Sequence, residues 1–105
     1  MLNPFLQQKL PDVIRMFQKH EVVRAYAFGS VVTDRFNKDS DVDLLFDFKE
    51  GLAPEILGEH IWELWDELEL LFERRVDLLT SKSLKNPYFI EELNEKKMLI
   101  YGKES

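Results

Sequence analysis

The segment FGSVVTDRFNKDSDVDLLFDF, residues 28–48, ends one apolar run on a Gly-Ser pair and opens the next on an Asp-x-Asp pair. Side chains alternate faces along a strand, so Val42, Leu44, Phe46 and Phe48 share one face while Asp41, Asp43, Leu45 and Asp47 share the other. The first set is apolar throughout and reads as the core side. Asp41 and Asp43 then stand together outside it, with Cβ atoms about 7 Å apart by strand rise. Two carboxylates this close disfavour each other unless something positive lies between them, so the pair reads as a cation site. Oxygen ligands of this kind suit Mg²⁺, with Mn²⁺ as a substitute, since these ions keep several waters and complete their shells with substrate phosphates.

Working outward, the stretch Arg75 to Leu79 repeats the alternation: Val76 and Leu78 face inward and Asp77 points the other way. If the two strands are neighbours, Asp77 completes a cluster of three carboxylates. Gly29 lets backbone approach a phosphate closely, Ser30 offers a hydroxyl donor, and a helical turn opening there would aim N–H groups at the anion. Metal on one side and donors on the other would clamp a triphosphate. The chemistry expected is metal-assisted displacement, one ion lowering the pKa of an attacking hydroxyl and a second stabilising the pyrophosphate that leaves.

The rest of the chain alternates helix and strand signals. Leu10, Val13, Ile14 and Phe17 recur at helical spacing, with Pro11 and Asp12 suited to a first turn and an end near His20. Val22 to Phe28 reads as a strand and residues 41 to 48 as the next. From Pro54 to about Phe72, Leu57, Ile61, Leu64, Trp65, Leu68, Leu71 and Phe72 form the apolar stripe of a long amphipathic helix. Asn86-Pro87 pairs an N-cap with proline at the first helical position and launches a helix through about Lys97, and Met98 to Tyr101 adds a short last strand. Together these predict an α/β (α+β) fold, a small mixed sheet of three to four strands covered by helices.

A chain of 105 residues corresponds to a single domain spanning 1–105, and a 45% hydrophobic content supplies its core. The formal charge of −6 argues against a basic surface for duplex DNA. The absence of cysteine fits a reducing cytoplasm, and no apolar run approaches the roughly 18 residues of a membrane span. The expected setting is therefore cytoplasmic, with neither membrane nor duplex DNA as partner.

Gly29-Ser30, ten positions, Asp41-Val42-Asp43 and, after a long helix, Asp77 form an ordered pattern that resembles the minimal nucleotidyltransferases of the DNA polymerase β superfamily. The resemblance extends over nearly the whole chain, including Ser40 before the first Asp and SLKNPYF after the third strand. It implies the nucleotidyltransferase fold, with Gly29, Ser30, Ser40 and Arg35 at the nucleotide and Asp41, Asp43 and Asp77 as catalytic ligands of two Mg²⁺ ions. It also implies Asp77 as general base and transfer of a nucleoside monophosphate, with ATP as the donor, to a hydroxyl. The smallest members are commonly antitoxins that adenylylate a tyrosine of a helical HEPN-type partner. Larger relatives carry an added acceptor-binding domain for which this chain has no room, so a HEPN-type partner or a homo-oligomer is expected to supply the acceptor surface. Minimal members usually follow Gly-Ser with small and basic residues; here the segment is Val31-Val32-Thr33-Asp34, leaving Arg35 or Lys38 as the substitute charge. The alternative is a catalytically inactive module that neutralises or positions a helical partner.

Other residues have plainer readings. Asp47 reads as surface charge. Trp62 and Trp65, at i and i+3, read as one core residue and one partner contact. His20 and His60 show no ligand-spaced companion and read as structural or exposed. Glu63, Asp66, Glu67, Glu69 and Glu73 read as the solvated face of the long helix.

Overall fold

The structure is a computed structural model that describes residues 3–103. Helix α1 runs Pro4–Lys19. It starts several residues before the expected Pro11-Asp12 turn because Asn3 caps it, accepting from the Phe5 N–H at 2.8 Å, with Pro4 in the first turn. The same Asn-Pro arrangement opens the helix that begins at Pro87. Pro11 therefore lies inside the helix, on its exposed side, where solvent can reach the Gln7 carbonyl that lacks an amide partner.

Strand β1, Val22–Phe28, leads into a 3-10 turn, Gly29–Val32, and a loop to strand β2, Val42–Phe48. Helix α2, Pro54–Phe72, crosses back to strand β3, Val76–Thr80. A second 3-10 turn precedes helix α3, Pro87–Lys96, which Asn86 caps through the Tyr88 and Phe89 N–H groups. Strand β4, Met98–Tyr101, follows. The sheet order is β3-β2-β1-β4, with β2 parallel to β3 and both other pairings antiparallel. The parallel pair requires a long crossover, which α2 provides.

The inward face of β2 is as expected: Val42, Leu44 and Phe46 are buried beneath Leu6, Val13 and Phe17 of α1 and Leu64, Leu68 and Phe72 of α2. Phe17 meets Phe46 edge-on at 5.1 Å. Each such side chain contributes roughly 1.5–3 kcal/mol by leaving water. The opposite face is covered only in part, where Leu93 of α3 packs on Tyr26 and Leu45. That asymmetry leaves one end of the outer face open.

Helix α2 departs from its expected roles at several points. Neither tryptophan enters the core: Trp62 is 76% exposed and Trp65 is 38% exposed. The buried stripe follows Leu64, Leu68 and Phe72, which places Trp65 at its flank, where the indole Nε1–H donates to the Val76 carbonyl at 2.7 Å. The acidic residues are not all solvated charge either. Glu69 accepts from the Val76 N–H at 3.0 Å, and Glu67 lies 3.0 Å from a ring nitrogen of His20. His20 and His60 do have companions, since their Nδ1 atoms lie 3.1 Å apart across the junction of α1 and α2. Asp47 is tied to Arg24, with Nε and Oδ2 3.5 Å apart.

Candidate functional site

The sheet register assembles the carboxylates. Parallel pairing sets Asp43 opposite Asp77, and antiparallel pairing sets Phe28 opposite Asp43, which brings the next residue, Gly29, against the Asp43 side chain. Gly29 has φ +73°, and a Cβ there would overlap Asp43 Oδ2. Glycine is required on both counts, for the left-handed backbone and for the close approach.

The Asp43 and Asp77 carboxyl groups lie close enough for a proton on Asp43 to be shared with Asp77. Burial first, then the Asp77 hydrogen bond and the negative charges of Asp77 and Asp41, push Asp43 up to about 7. All three groups are half-buried. A carboxyl that holds its proton toward neutrality for want of positive charge marks a place where a cation would be favourable. The register pair Asp43 and Asp77, with the charge of Asp41 acting on Asp43, offers the oxygen donors that suit a hard divalent ion such as Mg²⁺.

Asp41 is set by the loop before it. The Ser40 hydroxyl accepts from the Asn37 N–H at 3.1 Å, so this side chain closes the loop. Arg74 then fastens that loop to the body. Its guanidinium lies 4.4 Å from the Phe5 ring centroid and 4.6 Å from that of Phe36, and Nη1 donates to the Asn37 and Ser40 carbonyls at 2.8 and 2.9 Å. Nothing in the local sequence singles out Arg74, because its partners come from α1 and a distant loop.

Beside the Gly-Ser turn lies a cleft of about 560 Å³, lined among others by Gly29, Ser30, Arg35, Phe89 and Lys96. Gly29 belongs to both features, lining the cleft while lying against Asp43. Of the two candidate substitute charges, Arg35 lines the cleft and Lys38 does not. Lys96 adds a second cation that the sequence did not reveal, because α3 folds back over the turn; Phe89, from the same helix, meets Phe28 edge-on at 6.5 Å. The atypical residues after Ser30 serve the fold. Val31 is fully buried, Val32 packs against the core, and Thr33 Oγ1 donates to the Ser30 carbonyl at 2.8 Å.

The sequence model of the family described as polymerase beta, nucleotidyltransferase matches residues 11–105. The chain belongs to that nucleotidyltransferase family. It is 35% identical over 83 residues to MJ1379 of Methanocaldococcus jannaschii, provisionally named a protein adenylyltransferase, covering 79% of each chain. A solved structure provisionally described as a minimal nucleotidyltransferase has a TM-score of 0.74 and 30% identity, covering 93% of this chain and 95% of that one. A chain from a complex of tri-AMPylated Shewanella oneidensis HEPN toxin with MNT antitoxin has a TM-score of 0.65, covering 92% of this chain and 72% of that one. At 18% identity this last match speaks to the fold alone. The mixed four-stranded sheet with three helices is thus the nucleotidyltransferase fold, as expected from the sequence.

Proposed function

We propose that this nucleotidyltransferase moves AMP from ATP to a hydroxyl of a partner protein, the acceptor being a tyrosine of a HEPN-type helical protein and the outcome its neutralisation. The observation that carries the reading is the Gly29 turn lying against Asp43 while Asp43 pairs with Asp77, which joins a phosphate-binding turn to a carboxylate cluster. The protein substrate rests on the name of the M. jannaschii relative and on the AMPylated toxin of the Shewanella complex.

Asp41, Asp43 and Asp77 would hold Mg²⁺, which when bound supplies Lewis acidity to the acceptor hydroxyl and countercharge to pyrophosphate. Gly29 and Ser30 present backbone and hydroxyl donors to the triphosphate, with Arg35 and Lys96 as the cations of the adjoining cleft. Ser40 holds the loop that delivers Asp41. Asp77 accepts the acceptor hydroxyl's proton as its oxygen bonds to the α-phosphorus; the bond from that phosphorus to the bridging oxygen breaks, and pyrophosphate leaves. The acceptor surface comes from the partner.

The test is transfer of label from α-phosphate-labelled ATP to a co-expressed HEPN-type protein. Asp77→Asn should lower transfer by about 100-fold or more, because losing a direct ligand costs at least as much as losing an outer one. A tyrosine should carry the label. Transfer undiminished in Asp41→Asn and Asp77→Asn refutes the reading. Absence of transfer in the intact protein, with tight complex formation in all variants, favours a non-catalytic partner-binding module.

A further inference from the structure

Away from the carboxylate cluster, the end of α1 meets the middle of α2 through a second set of ionisable side chains. His20, which closes α1, is only 1% exposed. Its Nδ1 lies 3.1 Å from His60 Nδ1 and 4.0 Å from Glu63 Oε2, while its Nε2 lies 3.0 Å from Glu67 Oε2. His60, Glu63 and Glu67 stand at i, i+3 and i+7 of α2, so they share one face of that helix. Ligand atoms of His20, Glu63 and Glu67 all fall within 4.8 Å of one another, and His60 joins this group through His20.

The two ring nitrogens of His20 have different tasks. An ionised carboxylate only accepts, so Nε2–H donates to Glu67, and in the neutral ring the lone pair is left on Nδ1. That lone pair faces His60 and Glu63. Lys19 Nζ, 3.1 Å from the same Glu67 oxygen, helps keep the carboxylate charged. Burial alone would push Glu67 up, but the hydrogen bonds and charges of His20 and Lys19 outweigh it and hold Glu67 below its ordinary value. A carboxylate behind a histidine whose other nitrogen is free to bind is the device by which metal sites fix a ligand's tautomer and orientation.

We propose that His20 Nδ1, His60 Nδ1 and Glu63 form a site for a Zn²⁺-class ion, with Glu67 holding His20 in its ligating tautomer, separate from the carboxylate cluster of the transfer site. Two imidazoles and one carboxylate are the borderline donor set that suits Zn²⁺, whereas Mg²⁺ prefers oxygen alone. Nitrogens bound at about 2.0–2.1 Å in a tetrahedron stand roughly 3.3 Å apart, close to the 3.1 Å between the two Nδ1 atoms, so binding requires the rings to turn toward a shared ion rather than to separate. Glu63, half-exposed, is free to close the third position. On binding, His60 shifts its proton from Nδ1 to Nε2. Bound in this way, the ion would fasten the end of α1 to α2 and leave a coordination position open to solvent or to a partner's side chain.

The full chain, stripped with chelator and carrying Asp41→Asn and Asp77→Asn so that the transfer site does not contribute, is titrated with Zn²⁺ by calorimetry and with Co²⁺ by visible absorption. One ion per chain, with the intense bands of low-coordinate, nitrogen-ligated Co²⁺, is the expected result. Glu67→Gln should weaken Zn²⁺ about 10- to 100-fold, and His60→Ala should weaken it further. His60 is only half-buried, so its variant tests the proposal even if His20→Ala fails to fold. No binding in the Asp41→Asn, Asp77→Asn chain, or affinity unchanged by both His60→Ala and Glu63→Gln, overturns the proposal. Zn²⁺ held only when Asp41 and Asp77 are intact does the same, by assigning the ion to the transfer site.

Discussion

Gly29 carries two constraints at once, a left-handed backbone and contact with Asp43, so its replacement separates local strain from site geometry. Gly29→Ala should cost about 1–2 kcal/mol from the backbone alone, and Tm should fall by roughly 4–8 °C per kcal/mol in a domain of this size. Nucleotidyl transfer should be lost with it, because the new methyl displaces Asp43. Melting and labelled-AMP transfer check the two effects separately. Asp43 gives a pH signature. Its pKa is raised from 3.8 to about 7 in the fold, so the folded state binds the proton more tightly than the unfolded chain. Its contribution to stability is therefore greatest at low pH and is lost as pH rises through that interval. Glu67 runs the opposite way: its lowered pKa makes a contribution that is fully present above its ordinary 4.5 and is lost only as pH falls below that. The metal-free protein should lose Tm from this source between about pH 4 and pH 7, and saturating Mg²⁺ should restore most of it. A Tm at neutral pH that does not respond to Mg²⁺ would contradict the cation-site reading.

At the level of elements, the loop between the Gly-Ser turn and β2 decides whether Asp41 reaches its neighbours. That loop is held by Arg74, which lies over the paired rings of Phe5 and Phe36 and donates to two loop carbonyls. Arg74→Ala should destabilise the protein by about 1–3 kcal/mol, since charge-assisted hydrogen bonds and a ring stack are lost together. Because Asp41 is then held less firmly, kcat should fall with little change in nucleotide KM; KM rising alone would mean that Arg74 acts on nucleotide binding. Elements were largely legible in the sequence where two signals coincided. The stripe Leu64, Leu68, Phe72 and the Asn86-Pro87 cap identified α2 and α3, while Pro11, read as a helix start, obscured the true cap at Asn3.

Across the molecule, stability and chemistry are divided between the two faces of one sheet. The inner face, under α1 and α2, is a continuous apolar core; the outer face carries Asp43, Asp77 and the cleft beneath α3. Phe46→Ala, in the centre of that core, should cost about 3–5 kcal/mol and much of the folded population. Lys96→Ala, at the cleft, should leave the unfolding free energy within about 0.5 kcal/mol of the parent and raise nucleotide KM. Denaturant melts and steady-state kinetics distinguish the two outcomes.

The sequence by itself determined the alternation of core and carboxylate residues on β2 and β3, because a period of two admits only two faces, and it determined the Gly-Ser turn, because few residues tolerate that backbone. It also carried the ordered spacing by which the family is recognised. Tertiary structure alone decided that β2 and β3 are neighbours in register, that α3 brings Lys96 and Phe89 to the turn, and that Arg74 reaches the Asp41 loop. It alone decided that His20 meets His60, which lies 40 positions away along the chain. Those contacts join residues far apart in sequence, and the path between them is set by how helices pack on the sheet, which no local pattern records.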